Sequence, residues 1–146
     1  MNYEIVNRKE KVVVGITTST SNEDPKMSEK IGNLWGIFYQ EGISAEIKNK
    51  VNEFSIGLYS DYCPDGYLVT VGNEVATSEN DTLTTKVIPA GRYAKFSVHG
   101  HMQSAVAAAW AEIWNTELDR SYTGDFEEYL NEDLENADID IYIALK

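Results

Sequence analysis

The order of apolar patterns constrains this chain more than any single motif. A β-rich stretch, a helical stripe and two further β segments follow one another, and the same order then recurs within 146 residues. Tyr3 to Thr18 is the first β-rich stretch, with Val12, Val13, Val14 and Ile16 as its apolar centre. Asp24-Pro25 predicts a helix start, Asp as cap and Pro in the first helical position. Ile31, Leu34, Trp35 and Phe38 then recur at helical spacing until Gly42, and Ser44 to Val51 reads as a further short helical turn. Phe54 to Tyr62 and Tyr67 to Val75 read as strands joined by the turn Cys63-Pro64-Asp65-Gly66.

The second round begins after a polar linker that starts near Ala76 and is punctuated by Asn80-Asp81. Thr84 to His99 predicts a long strand, bent or interrupted at Pro89-Ala90-Gly91. A helix over about Met102 to Glu117 carries Val106, Ala109, Trp110, Ile113 and Trp114 on one broad stripe. Phe126 to Leu130 and Ile139 to Leu145 close the round as strands. The halves share an order of elements and no residue-level identity. This order predicts an α+β fold: an antiparallel sheet of two strand–helix–strand–strand repeats with two main helices on one face. Residues 1–146 read as one domain, with pseudo-repeats over about 1–76 and 84–146.

Charge and composition narrow the function classes. The net charge is −12, from 24 acids and 12 bases, and the bases form no stripe. Duplex phosphates would repel such a surface, so no direct nucleic-acid partner is expected, whereas cationic partners are electrostatically favoured. No apolar run approaches the ~20 residues of a membrane span, and Met-Asn-Tyr-Glu-Ile lacks the features of a signal peptide. With the single Cys63, these features predict a cytoplasmic protein without membrane association.

The candidate chemistry lies in Phe126-Glu127-Glu128-Tyr129. Strand alternation puts Phe126 and Glu128 on one face, Glu127 and Tyr129 on the other. The last strand offers Asp140 and Tyr142 at the same two-residue interval. A carboxylate among aromatic rings is costly when empty, and a delocalised organic cation offsets that cost through charge and cation–π contact. On pattern alone these acids read first as solvated outer positions of an antiparallel strand, and only second as pocket groups. Trp35 is placed in the core; of Trp110 and Trp114, one turn apart, one is expected in the core and the other at a pocket wall. His99-Gly100-His101 reads as a strand end and helix start, Cys63 lacks a nearby base, and Gly32-x-x-x-Gly36 reads as a helix-packing motif. No cofactor, metal ligand set or catalytic residue is assigned.

Taken together, Ile88-Pro89-Ala90-Gly91-Arg92-Tyr93, the Trp-bearing helix, the Phe-Glu-x-Tyr phrase and the acid-x-Tyr phrase of the last strand closely resemble the GyrI-like effector-binding domains. These form the ligand-sensing half of AraC- and MerR-type transcription regulators, and occur as stand-alone proteins such as gyrase inhibitors and integron-cassette effector-binding proteins. The resemblance spans Tyr3 to Leu145 and departs at Ala144, where the family usually has proline. It implies a ligand site of Glu127, Tyr129, Tyr142, Tyr59, Asp140, Trp110 and Trp114, with Glu127 as the pocket carboxylate and Tyr59 supplied by Ile56-Gly57-Leu58-Tyr59. The implied function is non-covalent binding of a hydrophobic, cationic small molecule in a groove between the halves, for sensing or sequestration of a drug or effector. No helix-turn-helix fits outside the match, so an action without a DNA-binding half of its own is expected. Two other classes stay open: a hydrolase of a reactive natural product, using a pocket Glu and Tyr as base and acid, and an inhibitor of a protein partner.

Overall fold

The apolar stretch before the first helix is two strands, and they lie at opposite ends of the sheet. In the computed structural model, which describes residues 1–77 and 82–146, β1 (Glu4–Arg8) pairs with β6 (Gly91–Gly100), and β2 (Lys11–Thr20) pairs with β5 (Thr84–Ile88) and β4 (Gly66–Val75). The remaining strands are β3 (Lys50–Cys63), β7 (Asp125–Tyr129) and β8 (Ala137–Ala144); α1 (Met27–Gln40), α2 (Ile43–Glu46) and α3 (Met102–Trp114) are the helices. The Asn80-Asp81 linker falls outside the described residues.

The sheet order is β1-β6-β8-β7-β3-β4-β2-β5, antiparallel throughout. It is symmetric about the central β7–β3 pair. Each half is a strand, a helix and two strands, and each receives as an outer strand the leading strand of the other half. Thr84 to His99 is therefore not one bent strand. Pro89-Ala90 sends β5 and β6 to opposite ends of the sheet, because proline cannot donate to a ladder and its ring fixes the turn.

That exchange forces curvature. In a flat sheet with strands about 4.8 Å apart, β1 and β2 would be about 29 Å apart, whereas the three residue steps from Arg8 to Lys11 reach at most about 11 Å. Both ends must curl together over one face. There Val13, Ile56, Leu58, Ile88, Tyr93, Phe126, Tyr142 and Ala144 form a core that, among the described residues, no helix covers. The other face carries both main helices, as the fold class requires. Leu34, Trp35 and Phe38 of α1 and Ala109 and Ile113 of α3 bury against Val69, Val71, Phe96, Ile139 and Ile141.

The helix boundaries differ from the sequence expectation at the start of α1 and at the end of α3, which stops at Trp114 and not near Glu117. Asp24 does not cap α1, whose first turn starts at Met27 without a side-chain cap. Its carboxylate instead accepts from Lys26 N–H at 2.8 Å and pairs with Lys30 at 2.7 Å. Gly42, at φ 62°, ends the helix as expected. Among the described residues no helix is long and apolar enough to cross a membrane.

Gly15 and Gly72 face each other across β2 and β4, where a Cβ on either would lie 1.9 or 2.0 Å from a carbonyl oxygen of the partner strand. Gly72→Ala is expected to destabilise the fold by about 1–3 kcal/mol through overpacking. An unchanged urea midpoint would show that the strands can part at no cost.

Candidate functional site

The site begins with a strand that has no solvated face. All five residues of β7 are buried, so the reading of its acids as outer, solvated positions does not hold. Phe126 and Glu128 face the curled side of the sheet; Asp125, Glu127 and Tyr129 face the helices. Pairing with β3 sets Gly57 directly opposite Glu127. Tyr59 and Tyr129 each stand two residues beyond that pair on their own strands, and so share its face.

Each half contributes one tryptophan to one tyrosine. Trp110 of α3 meets Tyr59 edge-on at 5.4 Å, and Trp35 of α1 meets Tyr129 edge-on at 4.8 Å. The arrangement follows the symmetry of the sheet and breaks at one point: one half has Glu127 where the other has Gly57. A Cβ on Gly57 would stand 3.1 Å from Glu127 Oε1 and 3.2 Å from a Trp35 ring carbon. The missing side chain is what lets the carboxylate lie between the two aromatic pairs.

Glu127 is 1% exposed and accepts three short hydrogen bonds. Tyr59 Oη donates at 2.8 Å and Trp110 Nε1 at 2.6 Å to Oε2, and Tyr129 Oη donates at 2.7 Å to Oε1. All three donors are neutral. Burial raises the carboxyl pKa above its ordinary value, and the hydrogen bonds from Tyr129, Trp110 and Tyr59 only partly oppose that. Desolvation first, and the charge of Glu127 second, push the hydroxyls of Tyr59 and Tyr129 well above 10, so both remain donors.

These groups floor a cavity of about 1250 Å³ between α1 and α3. Glu127, Tyr59, Tyr129, Trp110 and Trp114 of the candidate set all line it. Trp110 is at the floor; Trp114, 53% exposed, is at the rim and 6.1 Å from Trp110. Trp110 is also the one of the two that packs, partly buried, against the helix-side core; Trp114 does not.

Asp140 and Tyr142 are placed elsewhere. β8 pairs with β7 so that Asp140 stands opposite Glu128 and Tyr142 opposite Phe126. Directly opposed residues share a face, which is the face away from Glu127. Tyr142 stacks on Phe126 at 4.6 Å and lies under the Arg8 guanidinium; Asp140 accepts from Ser97 at 3.0 Å. The two-residue interval was read correctly, but the register that chooses the face lies outside either strand's own sequence.

Several lining residues escaped the sequence. Trp35 serves as both core and cavity floor, and stacks on Tyr39 one turn later at 5.8 Å. Tyr62 should point away from Tyr59 by alternation. A bulge between Ser60 and Cys63, with Asp61 at φ 53°, turns it back to the cavity side. Tyr62 and Arg120 then both bond the wholly buried Asp125, each at 2.6 Å. The Trp35–Tyr39 spacing was the only local signal for any of these. His99 pairs with Asp138 at 2.6 Å, and His101 caps α3 by accepting from Ser104 N–H. Cys63 is exposed at the end of β3.

Comparison with known proteins is consistent across sequence and fold. A family model described as Cass2, integron-associated effector binding protein, matches residues 4–145. The integron cassette protein VCH_CASS2 of Vibrio cholerae is 27% identical, with 100% of this chain and 97% of that chain covered and a TM-score of 0.78. SAV2435, solved with tetraphenylphosphonium bound, is 19% identical at a TM-score of 0.86, covering 100% and 94% of the two chains. The C-terminal domain of EcmrR is 16% identical at a TM-score of 0.58, covering 100% and 99%. A search of curated protein sequences finds no match.

Proposed function

The chain belongs to the family of integron-associated effector-binding proteins, and on that premise we propose that it binds a hydrophobic organic cation non-covalently, with Glu127 as the counter-charge. The observation that carries this reading is a carboxylate 1% exposed whose three hydrogen-bond donors are all uncharged. Three neutral donors orient the charge without neutralising it. A cation with delocalised charge sheds its hydration readily, meets the carboxylate at short range, and presents apolar surface to Trp35, Tyr59, Trp110 and Tyr129. Each good ring contact contributes about 0.5–2 kcal/mol once desolvated. Tetraphenylphosphonium, the ligand of SAV2435, has this chemistry. The ligand's fate is capture: Tyr59 and Tyr129 spend their protons on Glu127, an arrangement that holds a charge in place. Binding of this kind suits sensing or sequestration of a toxic compound.

Calorimetry with tetraphenylphosphonium and with neutral triphenylphosphine oxide tests the reading. The cation is expected to bind at least tenfold more tightly. Equal affinities would remove charge from the recognition. The same titration should change tryptophan emission, because Trp110 donates to Glu127 and Trp35 forms the floor. The change should persist in Trp114→Phe, whose ring is at the rim. A response that vanishes with Trp114 would place the ligand at the rim, away from Glu127 and the floor.

A further inference from the structure

The cavity wall formed by α1 is bare where a helix would ordinarily carry side chains. Gly32 and Gly36 stand one turn apart inside α1, and both line the cavity. At 100° per residue they fall on the flank shared with Ser28 and Tyr39, a third of a turn or more from the Leu34–Phe38 stripe that packs on the sheet. Three ordinary reasons for glycine in a helix are absent. A Cβ at either position would meet nothing within 4 Å, so no neighbouring element needs the close approach that the sequence motif suggested. Neither has a positive φ. Neither lies at a helix end. Glycine in a helix interior destabilises relative to alanine, and here that loss gains no packing. What it does gain is width: the helix backbone itself becomes the wall of a cavity that, at about 1250 Å³, exceeds the usual range for small-molecule sites.

The geometry points to Gly32 and Gly36 as the residues that set ligand thickness, admitting a non-planar cation with aryl groups disposed around one centre, whose bulk rests against the α1 backbone while its charge rests on Glu127. This inference rests on the cation-binding reading and adds to it the shape of the ligand and the wall that selects it. On the other side of the cleft α3 presents side chains, Val106, Ala107, Trp110 and Trp114 among them, and no glycine.

The test uses the full chain, two probes and a graded series. Tetraphenylphosphonium is the thick probe; N-methylacridinium, a planar cation one ring thick, is the thin one. The variants are Gly36→Ala, Gly36→Leu, and Gly32→Leu combined with Gly36→Leu. Melting temperatures are expected to equal or exceed wild type, because open space receives each side chain and helix propensity rises. Affinity for tetraphenylphosphonium should fall in the order of added bulk, by tenfold or more in the double variant. Affinity for N-methylacridinium should stay within threefold of wild type. Unchanged binding of the thick probe by the double variant, or equal loss of both probes, overturns the inference while leaving the Glu127 reading intact. Failure of wild type to bind either cation sinks the reading and this inference with it.

Discussion

Replacing Glu127 by Gln is expected to weaken tetraphenylphosphonium binding by about 1.5–3 kcal/mol, the range for losing a charge-assisted contact, which is roughly ten- to a hundredfold in affinity. The same change should leave the empty protein at least as stable as wild type at neutral pH. Burial holds the Glu127 carboxyl above its ordinary value of 4.5 in the folded chain, while the unfolded chain keeps that ordinary value. As pH rises the unfolded chain ionises first. The folded state therefore loses stability from about pH 4.5 up through the raised pKa, and the amide removes this loss. Gln can still serve the site: its carbonyl can face Trp110, which only donates, and its NH₂ can face Tyr129, whose hydroxyl can accept. Binding responds to pH in the opposite sense. A permanent cation favours the ionised carboxylate, so wild-type affinity should fall as pH drops through the raised pKa, with proton release detectable in buffers of different ionisation enthalpy. Affinity in the variant should be flat over that window. A variant that binds as wild type does, or that is markedly less stable when empty, would falsify the assignment of Glu127 as an unpaired charge held for a ligand.

Asp125, two residues earlier on the same strand, should respond oppositely. It is 0% exposed and accepts from Tyr62 Oη at 2.6 Å, Arg120 Nη2 at 2.6 Å and Ala144 N–H at 2.8 Å. Its counter-charge is already present, on a side chain 14% exposed whose Nε has no hydrogen-bond partner among the described residues. Asp125→Ala strands that guanidinium and the Ala144 amide, and is expected to destabilise the fold by about 3 kcal/mol or more. Asp125→Asn, which keeps the shape and one acceptor, should cost less but still destabilise. Chemical denaturation of Glu127→Gln and Asp125→Asn side by side is the informative comparison. The same carboxylate-to-amide change should be neutral or stabilising at one position and destabilising at the other, because only one of the two charges is paired inside the protein. Destabilisation at both would mean that Glu127 is also a structural ion.

Much of the framework is legible in residues that follow one another. The apolar stripe Leu34–Phe38 announces α1, the Pro-Asp-Gly turn announces the β3–β4 hairpin, and the alternation in Phe126–Tyr129 separates Glu127 from Glu128. These are local because helix and strand periodicities act within a few residues. One local reading, the Asp24 cap, went astray for a local reason, and the strand read over Phe54 to Tyr62 carries a bulge near its end. Asp24 found Lys26 and Lys30 before it could cap the helix. Asp61 took a left-handed conformation beside an ion pair with Lys86, and with it turned Tyr62 to the cavity face.

The sequence by itself determined the order of the strand–helix–strand–strand rounds, and that one acid would lie on the same face as Tyr129; it did not show that the leading stretch of each round divides into two strands. Only the tertiary structure decided what surrounds that acid. Register between β7 and β8 put Asp140 and Tyr142 on the opposite face. Register between β3 and β7 set Gly57 under Glu127 and brought in Tyr59. The curled sheet and the two helices then closed both faces, turning a strand that could have been half solvated into a wholly buried one. The reason is common to all three. Which face a strand residue occupies is fixed along the chain, but what lies on that face is fixed by partners far away in sequence, as where Gly57 stands opposite Glu127 and where Arg8, paired to Gly91, reaches Tyr142. No pattern within a segment encodes that choice.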